Sequence, residues 1–161
     1  MTEKIARHVL FNIPTDPSVL IAVGKVAIRH AHLEQVVRLA RRSVTNETVE
    51  EALQFTNTSF SDVVKKLRKA TGSAAAEKTP SVRFLALIEA AVAASDERNR
   101  LMHGLWGEEL NGDFVFSTRG QTFNAPPTAA TIETLAVKIE QLVRDIIDER
   151  FLNVISNQIS D

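Results

Sequence analysis

A chain of 161 residues with 44% hydrophobic and 24% charged side chains has the size and composition of one ordinary folded domain, which excludes wholesale disorder and a fibrous or membrane-embedded chain. No cysteine is present, so disulfides, thiolate metal sites and thiol nucleophiles are excluded. The net charge of −1 conceals a polarity, with 12 Lys/Arg against 8 Asp/Glu in residues 1–80 and 7 against 12 in residues 81–161; opposite poles point to a partner surface more than to general polyanion affinity.

Met1 to Pro14 carries charges and a histidine but no apolar run long enough for a signal segment or a membrane helix, so a cytoplasmic protein is expected. Asp16-Pro17 reads as an N-cap followed by proline at the first helical position. Val19, Val23, Val26, His30, Leu33, Val37 and Ala40 then recur at spacings of three and four, which predicts a long helix over about 17–42. Thr45-Asn46 with Glu47 and Glu50 opens a shorter predicted helix to about Phe55. Ser59 or Ser61 caps a third, carrying Val63, Val64 and Leu67 and stopping at Thr71-Gly72-Ser73.

Thr79-Pro80 repeats the cap-then-proline signal, and Val82, Leu85, Ile88, Val92, Ser95, Asn99, Met102 and Trp106 fall on one seam. This predicts a fourth helix to about His103, with Gly104 as the residue that ends it in the left-handed conformation. Polar residues enter the seam at its C-terminal end, where a buried stripe should stay apolar. Asn111-Gly112, between Leu105-Trp106-Gly107 and Asp113-Phe114-Val115-Phe116-Ser117, predicts a hairpin through a type I′ turn. After Pro126-Pro127, a pattern from Ile132 through Ile139 and Ile146 to Ile155 predicts the cleanest amphipathic helix, about 128–157. The expected fold is all-α: a single domain over residues 1–161, an antiparallel four- to five-helix bundle with a small β-hairpin near 105–118.

No phosphate-binding glycine loop, HExxH pattern or nucleophile elbow is present. His30 and His32 lie about 200° apart on a helix and cannot share a metal. His30 and Glu34, four apart, could, but read better as a core-edge histidine beside a surface acid; no metal or cofactor is expected. The basic runs Arg38-Leu39-Ala40-Arg41-Arg42 and Lys65-Lys66-Leu67-Arg68-Lys69 read first as solvated helix ends and second as a nucleic-acid footprint.

The end of the fourth helix stands out: Asp96-Glu97-Arg98-Asn99-Arg100-Leu101-Met102-His103-Gly104 crowds Arg, Asn and His together. Arginine offers a permanently charged fork for phosphate oxygens, and histidine moves a proton near neutral pH. Asn99 and His103 are four apart, so the amide is placed to hydrogen-bond the imidazole and fix its tautomer. RNA brings its own nucleophile, the 2′-hydroxyl, so such groups can cleave it without a metal. The bland alternative is a solvated salt-bridge face with His103 favouring the helix dipole.

Arg98-Asn99-Arg100-Leu101-Met102-His103-Gly104 resembles the signature of the HEPN superfamily (higher eukaryotes and prokaryotes nucleotide-binding), an Arg, a polar residue and a His after four to six intervening residues. The likeness extends to helix order over about 17–157, but only the short motif is specific. The resemblance implies a metal-independent endoribonuclease, often a toxin or defence effector, working as a homodimer with its two motifs across one cleft. It assigns Arg98 to the transition state, Asn99 to orientation and His103 to general base or acid. Arg100 and Glu34 are candidate substrate-binding residues, the latter if its helix packs on the fourth. RNA, a second copy and an antitoxin such as a minimal nucleotidyltransferase are the implied partners. A non-catalytic helical module that binds RNA, nucleotide or protein is the alternative.

Overall fold

The computed structural model describes residues 9–45, 48, 50, 58–71, 82–109, 111–118 and 123–158. They form β1 (Val9–Phe11), α1 (Pro17–Thr45), α2 (Phe60–Thr71), α3 (Val82–Met102), β2 (Leu105–Glu109), β3 (Phe114–Ser117) and α4 (Ala129–Gln158). The fold is all-α with a small antiparallel sheet. No helix among the described residues is long and apolar enough to cross a membrane.

Caps set three of the helix starts. Asp16 Oδ1 accepts the Ser18 backbone N–H at 2.8 Å, with Pro17 as the first helical residue. The Ser18 hydroxyl and amide together hold the Asp16 carboxyl below its ordinary value. Ser59 Oγ accepts the Asp62 N–H at 3.2 Å and donates to Asp62 Oδ2 at 2.7 Å, a reciprocal cap on α2. Thr128 Oγ1 accepts the Thr131 N–H at 3.2 Å at the start of α4. The short helix expected to follow Thr45 and the Thr79-Pro80 cap lie outside the described residues.

The bundle core joins Val26, Leu33 and Val37 of α1, Val63 and Leu67 of α2, Ile88 and Ala91 of α3, and Ile132, Ile139 and Ile146 of α4, each at most 2% exposed. Every fully buried Ile or Leu contributes about 1.5–3 kcal/mol through removal of apolar surface from water. The seam expected on α3 is rotated by about one position. Phe84, Ile88, Ala91, Ala94, Ser95 and Leu101 face inward, while Val82 is 86% and Met102 36% exposed. This helix is apolar on several sides, so periodicity alone selects its buried face poorly.

Direction follows from the ion pairs. Arg83–Glu149 at 3.5 Å and Lys138–Glu97 at 2.6 Å join opposite ends of α3 and α4, which are therefore antiparallel. Lys25–Glu133 at 2.9 Å and Arg29–Glu140 at 2.6 Å advance in step along α1 and α4. Those two helices run the same way, their first turns sharing a pocket with Trp106 and Phe114. The C-terminal end of α3 thus lies at the sheet end of the bundle.

The hairpin differs from expectation in two details. Gly112 N–H donates to Glu109 O at 2.9 Å and Glu109 N–H to Asp113 O at 2.9 Å, so the strands close wider than at a two-residue turn, and Gly112 supplies a left-handed φ of 87°. Gly104 has no positive φ. It is small for another reason: a Cβ there would stand 2.1 Å from Phe116 Cζ, whose ring packs edge-on against Trp106. β1 adds an unanticipated third strand, pairing antiparallel with β2 from Val9↔Glu109 to Phe11↔Gly107.

Candidate functional site

α1 and α3 are bridged by a buried polar contact. His30 is 3% exposed, and its Nε2 lies 3.0 Å from Ser95 Oγ. Its other nitrogen, Nδ1, lies 3.6 Å from Glu34 Oε1, one turn along α1, and Glu34 Oε2 lies 3.6 Å from Arg38. A helical serine often returns its hydroxyl to a carbonyl of the preceding turn; Ser95 instead meets an imidazole on the neighbouring helix. Burial pushes the His30 pKa down, Glu34 opposes that shift and Arg98 adds to it, so the ring is neutral near pH 7.

These groups line a cleft of about 460 Å³ between α1, α2 and α3. Glu34 and Asn99 stand on its α1 and α3 walls, while Phe60, Lys65 and Arg68 come from α2. Phe60 is tilted against the His30 ring at 6.0 Å between centroids. Arg38 also lines the cleft and donates to Thr58 O at 3.1 Å. Arg68 grips Glu89 of α3 through Nε at 2.9 Å and Nη2 at 2.6 Å, which raises its pKa. The two basic runs therefore meet at one cleft. The first is not a solvated helix end, because Arg41 is 1% exposed and the Arg38 side chain 16%; the second is exposed as expected.

The motif turn borders this cleft without entering it as a unit. Arg98 Nη1 donates to Asn99 Oδ1 at 2.9 Å, and its buried Nε meets no acceptor among the described residues. The Asn99 side chain pairs with Arg98, its neighbour, and makes no hydrogen bond to the His103 ring among the described residues. His103 is exposed just beyond α3, its backbone N–H donating to Asn99 O at 3.0 Å. Arg100 lines a separate groove with Leu101, Phe116 and Leu135. The fold thus brings Glu34 and Asn99 together, keeps Arg98 beside them, leaves His103 at the helix end and turns Arg100 elsewhere.

Sequence reasoning did not single out Ser95, Phe60 or Arg68 as site residues. For Ser95 a signal existed, a hydroxyl on an otherwise apolar seam; Phe60 and Arg68 required the α2 placement. The acidic neighbours are partly engaged, Glu97 by Lys138 at 2.6 Å and Glu108 by Asn12 Nδ2 at 3.2 Å. Three or more metal-ligating side chains do not gather anywhere among the described residues. No family model, curated protein or solved structure matches this chain.

Proposed function

We propose that the protein is a metal-independent endoribonuclease of the HEPN type, with the RNA 2′-hydroxyl as nucleophile and a composite site at a homodimer interface. The observation that carries this reading is the cleft itself, where Asn99 and Glu34 are bordered by Arg38, Lys65 and Arg68 from both basic runs. An acidic second half of the chain makes a poor RNA surface alone; these cations, paired with Glu34, Asp62 and Glu89, give the cleft its basic side, with Lys65 the most exposed of them.

In this reading Arg98 stabilises charge on the phosphorane-like transition state, Asn99 orients a phosphate oxygen, and His103 moves the proton. Glu34 contacts the nucleotide from α1, and Arg100 engages the flanking strand. Arg98 and His103 are five apart, about 140° around a helix, which suits a site assembled from two chains, one giving the arginine and the other the histidine. A toxin or defence role, a cytoplasmic setting and restraint by an antitoxin such as a minimal nucleotidyltransferase accompany this proposal.

RNA cleavage in excess EDTA tests it. The parent protein is expected to leave 2′,3′-cyclic phosphate and 5′-hydroxyl ends, and folded Arg98→Ala and His103→Ala each to lose at least about a hundredfold in rate. Equal cleavage by all three proteins would contradict the assignment. One feature favours a non-catalytic RNA- or nucleotide-binding module instead: Arg98 is held by Asn99, away from His103. Binding without cleavage, weakened by Lys65→Ala, would favour it.

A further inference from the structure

We propose that Ser95, His30 and Glu34 form a second reactive centre in the cleft, a serine nucleophile with its base and orienting carboxylate, acting on short-chain carboxylic esters. The proposal does not depend on RNA cleavage. Ser95 Oγ lies 3.0 Å from His30 Nε2, within reach for proton transfer. Glu34 faces Nδ1 at 3.6 Å, so its charge favours the tautomer with the proton on that nitrogen, the one in which the Nε2 lone pair accepts from the serine hydroxyl. Burial holds the ring in the neutral form, whose lone pair is free to take a proton.

The surroundings suit acyl transfer. Both Ser95 and His30 line a cleft of about 460 Å³ that opens to solvent, and Val64 and Val92 give an acyl chain an apolar wall. Asn99 lies one turn beyond Ser95 on the same cleft. Its Oδ1 is occupied by Arg98, so its amide Nδ2 donors remain for the oxyanion.

In the step, Ser95 Oγ bonds to the ester carbonyl carbon as its proton passes to His30 Nε2. The C–O bond to the alcohol then breaks and the alcohol leaves with that proton. Water, deprotonated by His30, then attacks the acyl carbon; the bond from that carbon to Ser95 Oγ breaks as His30 returns the proton to Oγ, releasing the carboxylic acid and restoring both residues.

A fluorophosphonate probe tests this on the purified full-length chain, because the serine oxygen displaces fluoride and the adduct is permanent. The probe is expected on the peptide containing Ser95, absent from Ser95→Ala, and slower by at least about a hundredfold in His30→Gln. Glu34→Gln, a change at a partly exposed position that keeps the side-chain shape and removes the charge, is expected to label about tenfold more slowly and guards against misfolding of His30→Gln. With p-nitrophenyl acetate, the parent is expected to release p-nitrophenol in a burst matching the chain concentration. No adduct on the folded parent, or an adduct undiminished in both His30→Gln and Glu34→Gln, would overturn the proposal and reduce the contact to an interhelical hydrogen bond.

Discussion

Gly104 marks how tightly single residues govern the end of α3. A methyl group there would meet the Phe116 ring at 2.1 and 2.2 Å and the Arg100 carbonyl oxygen at 2.9 Å, so Gly104→Ala must move the ring or the helix end. Overpacking of this kind costs about 1–3 kcal/mol. Thermal unfolding is expected to show that loss, and Trp106 fluorescence to shift as its edge contact with Phe116 changes. His30 gives a pH-dependent counterpart. Its folded-state pKa lies below the ordinary 6.5, so above that pH both folded and unfolded chains carry it neutral and nothing is lost. As pH falls below it, the unfolded chain takes up a proton that the folded chain resists, and stability declines until the buried ring itself protonates. Melting temperature is therefore expected to fall between about pH 7.5 and about pH 5.5, with a shallower slope in His30→Gln; an unchanged slope would separate the decline from this residue.

At the scale of elements, capping chemistry carried most of the information. Asp16 and Ser59 were legible as the starts of α1 and α2, where their side chains accept backbone N–H groups; Thr128 does the same for α4, whose start Pro126-Pro127 and the apolar period had marked. Thr128→Ala is expected to cost about 1 kcal/mol in denaturant unfolding without altering the slope of the transition. The buried faces of α1 and α4 were legible from the three- and four-residue spacing of Val26, Leu33 and Val37 and of Ile132, Ile139 and Ile146, although α1 also exposes Ile21 and Ile28. That of α3 was not, since a helix packed chiefly on α4 and α1 has apolar residues on more than one side and the period no longer singles out one face. β1 escaped notice because three residues are too short for an alternating pattern and its stability comes from pairing with β2. In the candidate site, the motif residues and Glu34 were legible as residue types at given spacings. The His30–Ser95 contact was not, because 65 positions separate partners that only the packing of α1 on α3 unites.

The whole molecule explains why a basic first half and an acidic second half share one surface. α1 and α2 bring Arg38, Lys65 and Arg68 to a cleft whose third wall is the acidic-half helix α3 with Asp96 and Asn99, so the charge polarity of the chain becomes a boundary at the site. α3 runs opposite to α4 and ends at the sheet, which places His103 at the surface where a second copy can approach it. The central claim is that RNA is cleaved by residues from two chains. Its most direct test mixes Arg98→Ala with His103→Ala protein, after exchange of subunits, and measures RNA cleavage in EDTA beside the parent and each variant alone. A composite site predicts that the inactive variants together recover up to about a quarter of parental activity, because half of the dimers are mixed and each holds one intact pair of groups. Parental cleavage with no recovery in a mixture shown to contain mixed dimers would contradict the composite site, and no cleavage by the parent across varied RNAs would contradict the ribonuclease itself.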